Sequence, residues 1–239
     1  SAAPLNNVYI ATMTQYAKEF GVPVAFPPEE IMHPLGGVFA QRRLSQLRIA
    51  ETEKYAHITY FFNCFRDEPY PGEFRVVIPS ERVAQHDAAP EMRAAEISDR
   101  IIAAMEEGAA DFVLANFANL DMVAHTGNFD AAVKAIDAVD RAFSRILETA
   151  LRKNLLLLIT SDHGNIEVMR DPKSFMPETK HNQSPVPFHL VGSDWKRSSP
   201  HKQINNVGML ADVAPTILAL MEIQKPIEMT GQNLLPYLH

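Results

Sequence analysis

A chain of 239 residues, 46% of them hydrophobic, is long enough to bury the core of one large α/β domain, or of one domain with part of another. Its 22 basic against 29 acidic residues give a net charge of −7 without any Lys/Arg run, which excludes a polycationic nucleic-acid or membrane-surface binder. The single cysteine, Cys64, excludes an internal disulfide framework and fits a reducing, cytoplasmic setting.

The chain opens Ser-Ala-Ala-Pro without an initiating Met and reads as a trimmed chain. Residues 8–12 read as a short strand, and 21–28 as a linker, because prolines at 23, 27 and 28 exclude helix; a domain boundary is expected there, with 1–28 and 29–239 on its two sides. A helix is expected at 34–41, strands at 46–51 and 57–63, a turn-rich stretch at 67–73 and a strand at 75–78. Helical spacing of Met92, Ile97, Ile101, Ile102 and Met105 predicts a helix over 89–107, stopped by Gly108. A strand follows at 111–117. Over 129–151 the pattern is helical again, with Val133, Ile136, Val139, Phe143, Ile146 and Leu147 on one face. Residues 155–160 form a continuous apolar strand, too short to cross a bilayer and typical of a sheet covered on both faces. A strand at 187–191, a helix at 209–221 and a tail complete the chain. Alternating strands and helices predict a largely parallel sheet with helices on both faces.

The chemistry-bearing residues follow the two best strands. Asn-Leu-Asp-Met-Val-Ala-His at 119–125 follows one, and Thr-Ser-Asp-His-Gly-Asn at 160–165 follows the other. In open α/β sheets ligands bind beyond the carboxyl ends of strands, so two such clusters point to a shared cleft. Asp121 and His125, four apart, share a helix face. Asp162 and His163 can both turn inward past a strand end, and His181 precedes a Pro-Val-Pro strand entry. Asp and His together suit Mn²⁺ or Zn²⁺ better than Ca²⁺. The plainer readings are a helix cap or surface pair at Asp121/His125 and a strand-end turn at 162–164. Lys54 could meet a phosphoryl oxygen as a point charge, or be a surface lysine. His33, His57, His86, His189, His201 and His239 lack acidic company and read as structural or surface residues. Ser161 has no elbow glycines and reads poorly as a nucleophile.

Taken in order, the segments at 46–63 (QLRIAETEKYAHITYFFN), 69–80 (PYPGEFRVVIPS), 116–128 (NFANLDMVAHTGN), 160–167 (TSDHGNIE), 210–218 (LADVAPTIL) and 228–234 (EMTGQNL) resemble the cofactor-independent phosphoglycerate mutases, a branch of the alkaline phosphatase superfamily. The resemblance covers essentially the whole chain. It implies an alkaline phosphatase-like α/β fold in which this chain is the C-terminal portion, 1–28 being the end of an inserted phosphotransferase domain and 29–239 the larger part of the phosphatase-like domain. It implies that Asp121, His125 and His181 match the ligands of one metal, Asp162 and His163 two ligands of a second, and Lys54 the phosphoryl contact. The family's remaining ligands, an Asp and a serine nucleophile, stand in N-terminal motifs not found in these residues. Implied with them are two divalent metals, Mn²⁺ first with Zn²⁺, Co²⁺ or Mg²⁺ as alternatives, no 2,3-bisphosphoglycerate, and a phosphoglycerate substrate interconverted between its 3- and 2-phospho forms. Departures are Leu120 and Ala124 in the 119–125 segment and an unusual loop before His181. A phosphatase or phosphodiesterase of the same superfamily, and a non-catalytic piece needing N-terminal segments or a complementary chain, are the competing expectations.

Overall fold

The computed structural model describes residues 8–15, 18–27, 31–171, 173–193, 195 and 206–238. The chain divides into two compact units, Ser1–Met32 and His33–His239. In the first, the strand expected at 8–12 shrinks to one parallel bridge between Thr12 and Val24, with Thr12 N–H donating to the Pro23 carbonyl (3.0 Å) and Ala25 N–H to Thr12 (2.9 Å). Pro23 and Pro27 have no N–H to extend a ladder. A 3-10 turn, Lys18–Phe20, lies between the bridged residues, and Pro28 of the expected linker lies outside the described residues.

The second unit is built on strand β1, Gln46–Glu51, paired in parallel with β2, Glu73–Ile78, and with β3, Phe112–Ala115. Side chains alternate across β1. One set, Leu47 and Ile49, joins Val76, Ile78, Val113 and Ala115 under α2, Ala94–Glu107, and α4, Phe129–Arg152, whose Ile97, Ile101 and Ile146 complete that core. The opposite face carries Gln46 and Arg48; there Phe112 packs with Leu35, Val38 and Phe39 of α1, Leu35–Gln41, and Leu218 of α5, Val213–Leu220. Helices therefore cover both faces, as expected. β4, Leu157–Thr160, pairs antiparallel with β5, Phe188–Val191, so the described strands form a parallel trio and a separate antiparallel pair. Among the described residues, the edge of β3 away from β1 and the edge of β4 away from β5 carry no partner strand.

One expectation is corrected. The strand expected at 57–63 is helical: a 3-10 turn Thr52–Lys54 leads into a π-helical turn His57–Phe61. Its aromatic and β-branched content suggested a strand, but Thr59 Oγ1 donates to the Tyr55 carbonyl (2.7 Å) and the His57 and Phe61 rings, four apart, meet edge to face at 5.5 Å. In α4 the inward face is the alanine-rich one, Ala131, Ala132, Ala135, Ala138, Ala142 and Ala150 with Val139 and Ile146. Small side chains let α2 and α3 (Asn119–Ala124) approach closely, and this leaves Phe129, Val133 and Ile136, at i, i+4 and i+7, 58%, 44% and 46% exposed. The helix end at Gly108 is as expected, with φ of +61° that suits glycine.

Candidate metal centre

Four segments of the second unit bring the site together. β1 runs into the 3-10 turn that carries Lys54, whose side chain is only 8% exposed and whose Nζ donates to Asp121 Oδ2. This ion pair replaces the surface-lysine reading. β3 is followed by α3, which holds Asp121 in its first turn and is capped by His125; the i, i+4 spacing puts His125 Nε2 3.1 Å from Asp121 Oδ1. The loop after β4 supplies Asp162 and His163, and the loop before β5 supplies His181.

His181 Nε2 lies 3.0 Å from Asp121 Oδ1 and 3.1 Å from His125 Nε2, and its ring stacks on His163 with centroids 3.6 Å apart. His163 Nε2 is 3.8 Å from Asp121 Oδ1 and 3.7 Å from Asp162 Oδ1. Asp162 is 56% exposed and meets the cluster through His163. The five acidic and histidine residues singled out in the sequence thus form one continuous cluster in which His163 stands equally near both carboxylates.

The electrostatics of this cluster call for a cation. His125 Nδ1 is 2.7 Å from the Thr179 carbonyl, which can only accept, so Nδ1 carries the proton and a neutral His125 turns the lone pair of Nε2 towards Asp121 and His181. Acceptor atoms about 3 Å apart need a proton or a metal ion between them, and two ligands of a tetrahedral metal at about 2.1 Å stand about 3.4 Å apart. Asp121, His163 and His181 offer ligand atoms all within 4.8 Å of one another, and the buried His163 Nδ1 has no hydrogen-bond partner. The donor set therefore fits a divalent ion. Burial works against the charge of Asp121, but hydrogen bonds from Lys54 and Asn165 and the charge of Lys54 outweigh it and hold its carboxyl at about 2.

One residue at this site escaped the sequence reading. Asn165, buried, donates Nδ2–H to Asp121 Oδ1 at 2.8 Å. His57, read as structural or surface, is exposed on the π-helical turn; partial desolvation and then the Lys54 cation lower its pKa, with Asp162 and Asp121 opposing. Ser161 donates its hydroxyl to the His163 carbonyl (2.8 Å).

The sequence matches the metalloenzyme superfamily over residues 7–225. The chain belongs to the metalloenzyme superfamily. Divalent metal use follows from that membership together with the donor set above. Among curated superfamily relatives, the 2,3-bisphosphoglycerate-independent phosphoglycerate mutase of Cellvibrio japonicus (strain Ueda107) is 49% identical over 222 residues, 93% of this chain and 42% of the relative. The 2,3-bisphosphoglycerate-independent phosphoglycerate mutase 2 of Methanosarcina barkeri is 49% identical over 228 residues, 95% of this chain and 42% of its own length. The chain thus spans less than half the length of these relatives. A crystal structure of Leishmania mexicana phosphoglycerate mutase at low cobalt concentration superposes with a TM-score of 0.78 at 28% identity, covering 93% of this chain and 43% of that one. A 2-O glycosaminoglycan sulfatase, BT1596, shares the fold at 16% identity with a TM-score of 0.54, covering 85% of this chain and 56% of that one. The alkaline phosphatase-like α/β fold expected from the sequence is borne out.

Proposed function

We propose that this chain is the metal-binding part of an enzyme that interconverts 3-phosphoglycerate and 2-phosphoglycerate through a phosphoserine intermediate, without 2,3-bisphosphoglycerate. The observation that carries the reading is the meeting of Lys54, Asp121, His125, His163 and His181 from four separate segments, in a chain 49% identical to a phosphoglycerate mutase along nearly all its length. Asp121, His125 and His181 would hold one metal, and Asp162 and His163 would contribute to a second, Mn²⁺ being the first candidate for both. Such ions, when bound, neutralise phosphoryl charge and lower the pKa of a bound hydroxyl. Lys54 has a buried ammonium beside Asp121, and would meet a phosphoryl oxygen as a point charge. His125 keeps its proton on Nδ1 through Thr179, leaving Nε2 free to ligate. The serine nucleophile and the remaining ligands would come from a segment outside these residues, with residues 1–28 as the end of an inserted phosphotransferase domain, in a cytoplasmic protein.

A second reading, that these residues alone do not turn over substrate, is favoured by the edges of β3 and β4, unpartnered among the described residues, and by the exposed Phe129–Val133–Ile136 stripe. These are surfaces on which further chain could pack. An enolase-coupled assay with Mn²⁺ and no 2,3-bisphosphoglycerate separates the possibilities, run on this chain alone and co-expressed with the part of the Cellvibrio japonicus relative that it does not match. Isomerisation only in the co-expressed pair, lost in Asp121→Ala, is expected. Phosphate release without isomerisation would point to a hydrolase, and isomerisation by the chain alone would overturn the external nucleophile.

A further inference from the structure

Asp121 is the hub of the site, and what fixes its carboxylate is not a ligand. Its Oδ2 is occupied by Lys54, while Oδ1 faces His125 Nε2 at 3.1 Å, His181 Nε2 at 3.0 Å and Asn165 Nδ2 at 2.8 Å. Of the three neighbours of Oδ1, the amide is the one that stays a neutral donor in every protonation state. Its orientation is dictated, because an ionised carboxylate only accepts, and Asn165 Oδ1 turned towards it would set two acceptors face to face. The cost of that orientation is visible: Asn165 Oδ1 is buried without a hydrogen-bond partner.

The backbone around Asn165 is fastened just as firmly. Its N–H donates to Glu167 Oε2 at 2.8 Å, and Gly164 carries the bridge to Asn182, whose N–H donates to the Gly164 carbonyl at 2.9 Å. A Cβ on Gly164 would lie 2.3 Å from Asn182 Oδ1 and 2.4 Å from Glu167 Oε1, so the Glu167 carboxylate presses directly on this turn. Burial opposes the charge of Glu167, but hydrogen bonding, with the Asn165 amide donating to Oε2, holds its carboxyl below the ordinary range.

We propose that Asn165, with Glu167 behind it, is a positioning residue for the metal: it sets the plane of the Asp121 carboxylate so that Oδ1 stands at the apex shared by His125 and His181. The inference rests on the metal-site reading above and adds to it a residue outside the proposed ligand set, acting through Asp121. Residues that orient metal ligands through hydrogen bonds typically change metal affinity 10- to 100-fold when removed.

The test is metal uptake by the chain itself. Mn²⁺ is titrated by calorimetry, and Co²⁺ by its visible absorption, into the wild type, Asn165→Ala, Asn165→Leu, Glu167→Gln and Asp121→Ala. Thermal melts in EDTA serve as the fold control, and the Leu variant preserves the volume of the buried side chain. Expected are binding by the wild type, loss in Asp121→Ala, and affinities about 10- to 100-fold weaker in both Asn165 variants with an altered Co²⁺ spectrum, at melting temperatures close to wild type. A smaller shift of the same sign is expected for Glu167→Gln. Wild-type affinity and spectrum in Asn165→Leu would overturn the positioning role alone. Absence of Mn²⁺ uptake by the wild type, or full uptake by Asp121→Ala, would overturn the metal reading and the role of Asn165 together.

Discussion

Replacing Asp121 by Asn keeps the shape of the side chain and removes its charge, and the structure says what that costs before any metal is bound. The carboxyl is held at about 2 against an ordinary value of 3.8. A shift of about 1.8 units, at 1.36 kcal/mol each, corresponds to about 2 kcal/mol. Because the folded-state value is depressed, this stabilisation is complete above about pH 4 and fades as the pH falls towards 2. Asp121→Asn forfeits it and strands the Lys54 ammonium, 8% exposed, without its counter-charge. In EDTA at pH 7, urea denaturation followed by circular dichroism should show Asp121→Asn less stable by at least about 2 kcal/mol, or about 4–8 °C in melting temperature for a chain of this size. The gap should hold from pH 7 to pH 5 and narrow below pH 4. Lys54→Met combined with Asp121→Asn should lose less than the sum of the single changes, since each single change strands the partner charge. Equal stability of Asp121→Asn and wild type at pH 7, or strict additivity in the double variant, would refute the buried ion pair as a stabilising element.

Three further outcomes are expected. Gly231→Ala places a Cβ 2.0 Å from the Ala211 carbonyl oxygen, backbone that cannot rotate away, and should cost about 3 kcal/mol by thermal melting. His181→Ala removes the side chain that bridges Asp121, His125 and His163; calorimetry should show Mn²⁺ affinity at least about tenfold lower, with little change in the EDTA melt. Ile136→Lys lies on the open stripe of α4 and should leave this chain within about 0.5 kcal/mol of wild type while impairing activity in the co-expressed pair, read in the coupled assay.

The site was legible in the sequence wherever chemistry and topology agreed. Acidic and histidine residues just past the ends of β3 and β4 pointed to a cleft, and the i, i+4 spacing of Asp121 and His125 is enough to put both on one helix face. Lys54 was ambiguous because its burial depends on Asp121, 67 residues away, and no local pattern reports a long-range ion pair. Asn165 was invisible for a related reason: an amide two residues beyond a histidine carries no signal until a fold shows what it points at. At 57–63 local composition favoured a strand, and the chain turned helical because β1 ends at Glu51 and must leave the sheet. In α4 periodicity identified the helix correctly but not its inner face, since alanines contribute little to a hydrophobic pattern and yet allow the closest packing.

The loop ahead of β5 grips His125 twice, through the Thr179 carbonyl on Nδ1 and through His181 against Nε2. A side chain held from both sides by one short stretch behaves as part of a chelate. Once His125 is in place, His181 reaches the site at a high effective concentration, and losing either grip frees the other. A cation held by His125 and His181 would tie this loop to α3. Phe175 and Met176, both largely exposed nearby, mark where a protease would read it, cutting more slowly whenever a divalent ion is bound.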